Sequence, residues 1–206
     1  MTATDNILII GGGVIGLACA VELQLRGAKV TVLSRNLKSA AVHAAAGMLA
    51  PGAEKIPEKS PMFDLCERSL WLYPEWTAKL EEITGINTGY WQCGILSPVF
   101  DEKYTNEKIT SNYGTWLDKE TIHQQQKGLG EKVIGGWWYP EDGQVDNRLL
   151  IQGLYSAAET LGVEIKEGIT VEAIRQRQGE VIGLQTNVGN FQGSHYLLAT
   201  GAWSHE

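Results

Sequence analysis

The 206-residue sequence has little of what several common functions require. It carries no basic surplus. Its 17 Lys and Arg face 24 Asp and Glu, a formal net charge of −7, which argues against a nucleic-acid surface. It has three cysteines, Cys19, Cys66 and Cys93, far apart and in no CxxC pattern. Neither a metal site nor a redox pair is expected from them; buried, reduced thiols in a cytoplasmic protein are. The four histidines, His43, His123, His195 and His205, are equally scattered, so no metal is expected. No apolar run reaches the roughly 20 residues of a membrane span, and the N-terminus lacks the basic flank of a secretion signal. No acid–base dyad or nucleophile stands out, so no catalytic residue is assigned. What remains is a globular chain of one or two domains, long enough to bury a core.

What is present begins with Ile7-Leu8-Ile9-Ile10, an apolar run suited to a parallel strand buried on both faces. It leads into Gly11-x-Gly13-x-x-Gly16 and then a helical stretch, Leu17 to Leu25. This is the order a dinucleotide site requires. Gly11 allows the tight turn, Gly13 lets backbone approach a pyrophosphate, and Gly16 lets the helix pack on the strand. The helix start offers free N–H groups and a positive dipole end to phosphates. Glycine-rich turns are common, but here strand and helix flank the motif. Residues 27–33 supply a turn and a second strand.

The second strand ends at Leu33-Ser34-Arg35. About 20 residues beyond the glycines, dinucleotide sites usually place an acid that binds the ribose hydroxyls. Ser34 offers one hydroxyl instead. Arg35 could stack on adenine, pair with a 2′-phosphate, or simply cap a strand end in solvent; these readings stay comparable, and an NADP site is a live alternative. The following run, Ala40 to Pro51, is nearly all small residues around Gly47 and Met48. It reads either as a short alanine-rich helix stopped by Gly47 and Pro51, or as backbone passing close to a planar cofactor.

Six of the seven tryptophans fall between residues 62 and 140. One helix is expected from Pro61, with a stripe of Met62, Leu65, Cys66, Ser69, Leu72 and Tyr73, and a second helix after Pro74, from Glu75 to Ile83. Strand-like runs follow at 89–99 and 132–139, and Asp118 is an N-cap candidate. The clustered aromatics serve as core filler or as a ligand-facing wall. The clearest helix runs from Asp146, its cap, to Gly162, its left-handed stop, with Leu150, Leu154, Ala157, Ala158 and Leu161 buried. The cap explains Asp146 fully. Short strands at 169–175, 181–186 and 190–192 form an antiparallel excursion, and a last strand at 196–199 delivers Thr200-Gly201 to the carboxyl edge of the sheet.

Three of these segments carry a specific resemblance. Ala45-Ala46-Gly47-Met48-Leu49-Ala50-Pro51 after a glycine-rich start, Tyr139 to Asp146 (YPEDGQVD) and Leu197 to Ser204 (LLATGAWS) together resemble the FAD-dependent glycine oxidases of thiamine biosynthesis. These belong to the D-amino-acid oxidase and sarcosine oxidase family. The resemblance implies an α/β fold, a Rossmann-like FAD-binding domain with a parallel sheet over 1–60 and 141–206, and an inserted α+β substrate-cap domain over 61–140. It implies FAD held by Gly11, Gly13, Val14, Ile15 and Gly16 at the pyrophosphate, by Ser34 and Arg35 at the adenosine ribose, and by Ala41 and Val42 nearby. Ala46, Gly47 and Met48 would lie beside the flavin, with Met48 an apolar wall rather than a proton donor. Val171 would meet the adenine through its backbone, and Gly201 the cofactor crevice. Ser34 departs from the family's usual acid.

The activity so implied is transfer of a hydride from the α-carbon of glycine, as the neutral amine, to flavin N5, and of electrons onward to O2. The products are hydrogen peroxide and an imine that feeds thiazole formation or hydrolyses to glyoxylate. Alternatives are a sarcosine or other amino-acid oxidase or dehydrogenase of the same family, or a non-catalytic NADP module. The partners implied are a small amine and O2, with no nucleic acid and no membrane, and either a homo-oligomer or fusion to a thiazole-synthesis domain. Trp203 to Glu206 reads as the start of a further helix, so the chain is expected to be a C-terminally truncated part of a longer enzyme, inactive alone and without the arginine that binds the substrate carboxylate.

Overall fold

The computed structural model describes residues 6–54, 60–104 and 114–205. The first half contains β1 (Asn6–Ile10), α1 (Val14–Leu25), β2 (Lys29–Ser34), β3 (Met48–Leu49), α2 (Pro61–Thr84), β4 (Ile95–Val99), β5 (Thr115–Asp118) and α3 (Lys119–Gln125). The second contains β6 (Gly135–Tyr139), β7 (Gly143–Gln144), α4 (Asn147–Thr160), β8 (Glu164–Glu167), β9 (Val171–Arg177), β10 (Glu180–Thr186), β11 (Gly189–Phe191) and β12 (His195–Leu198). Two compact units result. The first gathers Met1–Ala46, Ala78–Thr88 and Asp146–Glu206; the second gathers Gly47–Thr77 and Gly89–Val145.

The first unit is a Rossmann-type α/β layer. Its sheet has the order β12-β1-β2-β8 and every pairing is parallel. The apolar run of β1 is buried on both faces, as an internal parallel strand must be: Ile7, Leu8, Ile9 and Ile10 are all 6% exposed or less. Side chains alternate between faces. Leu8, Ile10 and Leu33 pack on Leu184 of the antiparallel β9-β10-β11 excursion. The other face has α1 against β2 and α4 against both α1 and β8. α4 is capped by the Asp146 carboxylate, which accepts from the N–H groups of Arg148 and Leu149 (2.9 and 3.0 Å). It closes at Gly162, φ +82.

The second unit holds an antiparallel sheet, β4-β6-β5, and a two-stranded ribbon, β3-β7, extended by a bridge between Trp91 and Gln144. Trp116 packs edge-on against Trp137, and Trp138 covers Gly94, all three tryptophans partly buried. Trp71 and Trp91 remain exposed. α3 starts at Asp118, whose carboxylate accepts from the Thr121 N–H at 2.8 Å.

α2 corrects two expectations. It is one helix straight through Pro74, not two. The proline removes one N–H donor, and the Thr77 hydroxyl bonds the carbonyls of Tyr73 and Pro74 (2.7 and 3.2 Å) in that turn. The expected stripe is also not the buried one: Met62, Leu65 and Leu72 are exposed, while Phe63, Thr77 and Leu80 are buried. Both sets repeat at helical spacing, and the sequence offers no means of choosing when each contains large apolar side chains.

Gly201–Trp203 form a 3-10 turn, and the helix start expected over Trp203–Glu206 lies in part outside the described residues, which end at His205.

Candidate functional site

At the carboxyl edge of the parallel sheet, β1 turns into α1. The Gly11 N–H donates to the Leu33 carbonyl at 2.9 Å, and its φ of +115 is one that side chains resist. A Cβ there would strike the Ala199 carbonyl oxygen, and one on Gly16 would strike the Gly11 carbonyl oxygen. Strand, turn and helix therefore close on each other with no room to spare. Gly13 is the opposite case. A Cβ added to it meets nothing within 4 Å, so the space in front of it is open.

Gly13 is also the N-cap of α1. It supplies no side-chain bond, and the first turn holds no acid. The N–H groups at Val14, Ile15 and Gly16 are thus the unpaired donors of a twelve-residue helix facing that space. The arrangement suits a pyrophosphate: open room over glycine, uncapped donors and a positive helix end.

Ser34, expected at the ribose, is 5% exposed at the tip of β2. Its carbonyl accepts the Ile169 N–H at 3.1 Å, which ties β2 to the approach of β9. The Arg35 guanidinium lies 5.4 Å from the centre of the Trp203 ring. This cation–π stacking was absent from all three expectations for Arg35. Val171 opens β9 and packs against the Leu8–Leu184 cluster; Gly201, φ +59, starts the 3-10 turn.

The alanine run is not an α-helix. After a 3-10 turn at Leu37–Ser39, it forms a second one at Ala41–His43 and then the short strand β3. In the first unit, the Asn147 side-chain amide donates to the carbonyls of Val42 and Ala45 (2.8 Å to Ala45), so those acceptors are taken up by a residue a hundred positions away. Val42 is buried, while Ala41 and Ala46 are exposed.

In the second unit, Gly47 has φ +78 and its carbonyl accepts the Val145 N–H at 2.9 Å. Met48 pairs with Gln144 and Leu49 with Gly143, leaving the Met48 side chain half-exposed. Just beyond, the Asp142 carboxylate accepts from Gly52 N–H at 3.3 Å and Ala53 N–H at 2.8 Å. Asp142 is buried, and that burial, with Glu54 and Glu141 adding to it, holds its carboxyl above the ordinary range despite the two N–H bonds. Beside it, the buried Tyr139 hydroxyl finds no hydrogen-bond partner among the described residues, and burial and the Asp142 charge push the phenol up.

The two segments singled out in sequence, 45–51 and 139–146, are therefore partners. Asn147, Val145, Gln144, Gly143 and Asp142 meet residues 42 to 53 in reverse order. Asn147 and Asp142 went unremarked in sequence as holders of this segment. Reading the acids and amides of the second segment as partners for backbone of the first is the signal that was available. Among the described residues no group of three or more His, Cys, Asp or Glu could hold a metal. Cys19, Cys66 and Cys93 are free. No described helix is long and apolar enough to cross a membrane.

Comparison with known proteins gives the context. The family model for the FAD dependent oxidoreductases (DAO) matches residues 6–206. The bifunctional protein ThiO/ThiG of Trichormus variabilis is 60% identical over 208 residues, covering 98% of this chain but 32% of that protein. The glycine oxidase of Geobacillus kaustophilus is 31% identical, covering 99% of this chain and 56% of that protein. The crystal structure of glycine oxidase from Geobacillus kaustophilus superposes with a TM-score of 0.86 over 97% of this chain and 56% of the other. The chain thus spans about a third to just over half of the relatives it matches.

Proposed function

Because the chain belongs to the DAO family of FAD-dependent oxidoreductases, with FAD as its cofactor, we propose that it is the FAD-holding part of an enzyme that oxidises glycine. The products are glyoxylate, ammonia and hydrogen peroxide, formed from glycine, O2 and water; the imine that precedes hydrolysis is available to thiazole synthesis. The observation that carries this reading is the uncapped start of α1 behind the open space at Gly13, joined to the likeness to glycine oxidases. The likeness to a bifunctional ThiO/ThiG protein supports fusion to a thiazole-forming domain. A cytoplasmic setting, with three free cysteines, belongs to the same proposal.

FAD, when bound, supplies the hydride acceptor and returns two electrons to O2. This chain's own residues bind and orient. Val14, Ile15 and Gly16 N–H groups hold the pyrophosphate with the dipole of α1 behind them. Ser34 and Arg35 take the adenosine ribose, with Ala41 and Val42 nearby and the Val171 backbone at the adenine. Ala46, Gly47 and Met48 line the flavin, Met48 as an apolar wall, and Gly201 lies on the crevice. In this reading residues 1–60 and 141–206 form the cofactor domain and 61–140 the substrate cap. No proton-transfer residue is required of this chain, since the amine reacts in its neutral form.

The test is anaerobic reduction of the full-length protein. Glycine should bleach the flavin absorbance, and admission of O2 should yield peroxide and glyoxylate in equal amounts. Bleaching by sarcosine or another amine but not by glycine would overturn the substrate assignment while leaving the family intact.

A further inference from the structure

Ser34 stands where an acid ordinarily takes the ribose hydroxyls, and its short buried side chain provides neither the charge nor a second acceptor. The neighbouring strand does. β8 ends in Glu167, the Cα partner of Ser34 in the parallel register. One carboxylate oxygen of Glu167 accepts the Leu37 N–H at 3.3 Å, across the mouth of the turn that follows β2. Leu37 and the Ser34 hydroxyl in turn flank Gly12: a Cβ there would strike the Leu37 side chain and come within 3.0 Å of the Ser34 Oγ. Glu167, Ser34, Leu37 and Gly12 are thus one cluster at the carboxyl edge of the sheet. Glu167 is exposed, and the Leu37 N–H reaches one of its two carboxylate oxygens.

We propose that Glu167 is a cofactor-binding residue: it supplies from β8 the carboxylate that Ser34 does not supply from β2, binding the adenosine ribose and rejecting nucleotides with a 2′-phosphate. The inference rests on placing the adenosine at Ser34 and Arg35. Two adjacent hydroxyl donors suit a carboxylate, whereas a phosphate dianion at the same point faces like charge. Arg35 alone would favour the phosphate. The acid opposite it decides against.

Glu167→Gln is the discriminating variant, because its amide oxygen still accepts the Leu37 N–H while the charge is gone. In the full-length protein stripped of flavin, Glu167→Gln should match the wild type in thermal stability and bind FAD about tenfold more weakly. Competition against FAD should show the wild type preferring 5′-ADP to 2′,5′-ADP, and the variant losing most of that preference. Adding Ser34→Glu to the variant should restore FAD affinity. Unchanged FAD affinity and unchanged nucleotide preference in Glu167→Gln would overturn the proposal. If Ser34→Glu alone still shifts FAD affinity in that case, only the role of Glu167 fails; if it does not, the placement of adenosine at Ser34 fails with it.

Discussion

The glycine turn at 11–16 and the segment at 42–53 both bring backbone to where a cofactor is expected, yet they are built in opposite ways. The turn is made largely of its own neighbours: β1 ends at Ile10, Gly11 reverses the chain, and α1 begins at Val14, four residues after Ile10. The later segment has little internal frame beyond the 3-10 turn at Ala41–His43. Its carbonyls and N–H groups are taken by Asn147, Val145 and Asp142, and its only strand pairs with β7. A local device fails at its own tightest residues, Gly11 and Gly16. A borrowed one is broken from far away.

The largest effect should come from Gly11→Ala compared with Gly13→Ala in the full-length protein. Gly11→Ala forces a side chain into positive φ and into the Ala199 carbonyl, at a cost of at least about 3 kcal/mol, and the urea midpoint should fall sharply with loss of flavin. Gly13→Ala meets no protein atom, so the flavin-free protein should stay within about 1 kcal/mol of wild type. Its Cβ nevertheless enters the open space, and FAD affinity should drop. If Gly13→Ala retains FAD with wild-type affinity, that space is not where the pyrophosphate lies.

Asn147→Ala tests the borrowed frame. It leaves the Val42 and Ala45 carbonyls without their amide partner, a loss of about 2 kcal/mol in urea denaturation. Asn147→Asp is the sharper control, because a carboxylate facing two carbonyls repels rather than donates, and it should be no better than alanine. Should Asn147→Asp behave as wild type, the segment is held by something other than these bonds.

This contrast also explains what could be read in advance. The buried strand, the turn, α1 and the capped α4 with Asp146 and Gly162 are patterns of contiguous residues, and their physics is local. Asp118 as a cap is legible for the same reason. The buried face of α2 was not, because two apolar stripes competed and tertiary packing chose Phe63, Thr77 and Leu80. The alanine run misled similarly: helix propensity favours alanine, but Asn147 takes the carbonyls of Val42 and Ala45 from outside. Arg35 found Trp203 through a contact spanning most of the sequence.

The smallest and most specific effect concerns Asp142, which fastens Gly52 and Ala53 immediately after the Met48 strand. Burial is the leading cause that raises its carboxyl above the ordinary value, with Glu54 and Glu141 contributing and the two N–H bonds opposing. A raised folded-state pKa means that the proton is bound more tightly in the folded protein than in the unfolded chain. The stability it contributes is complete below the ordinary carboxylate range and is lost as pH rises through the folded value. Glu164 works in the other direction: the Lys166 bond, then Thr31, lowers its pKa, and its contribution fades as pH falls through the folded value. A raw stability curve mixes the two, so the informative quantity is wild type minus Asp142→Asn. Asparagine keeps one acceptor and loses the charge, at a cost of about 1 kcal/mol at low pH. As pH rises from about 4 towards 7, the wild type should lose ground against the variant. A difference that stays flat with pH would mean that the buried carboxyl titrates alike in the folded and unfolded chains, and that the Gly52–Ala53 turn is held without any contribution from its charge.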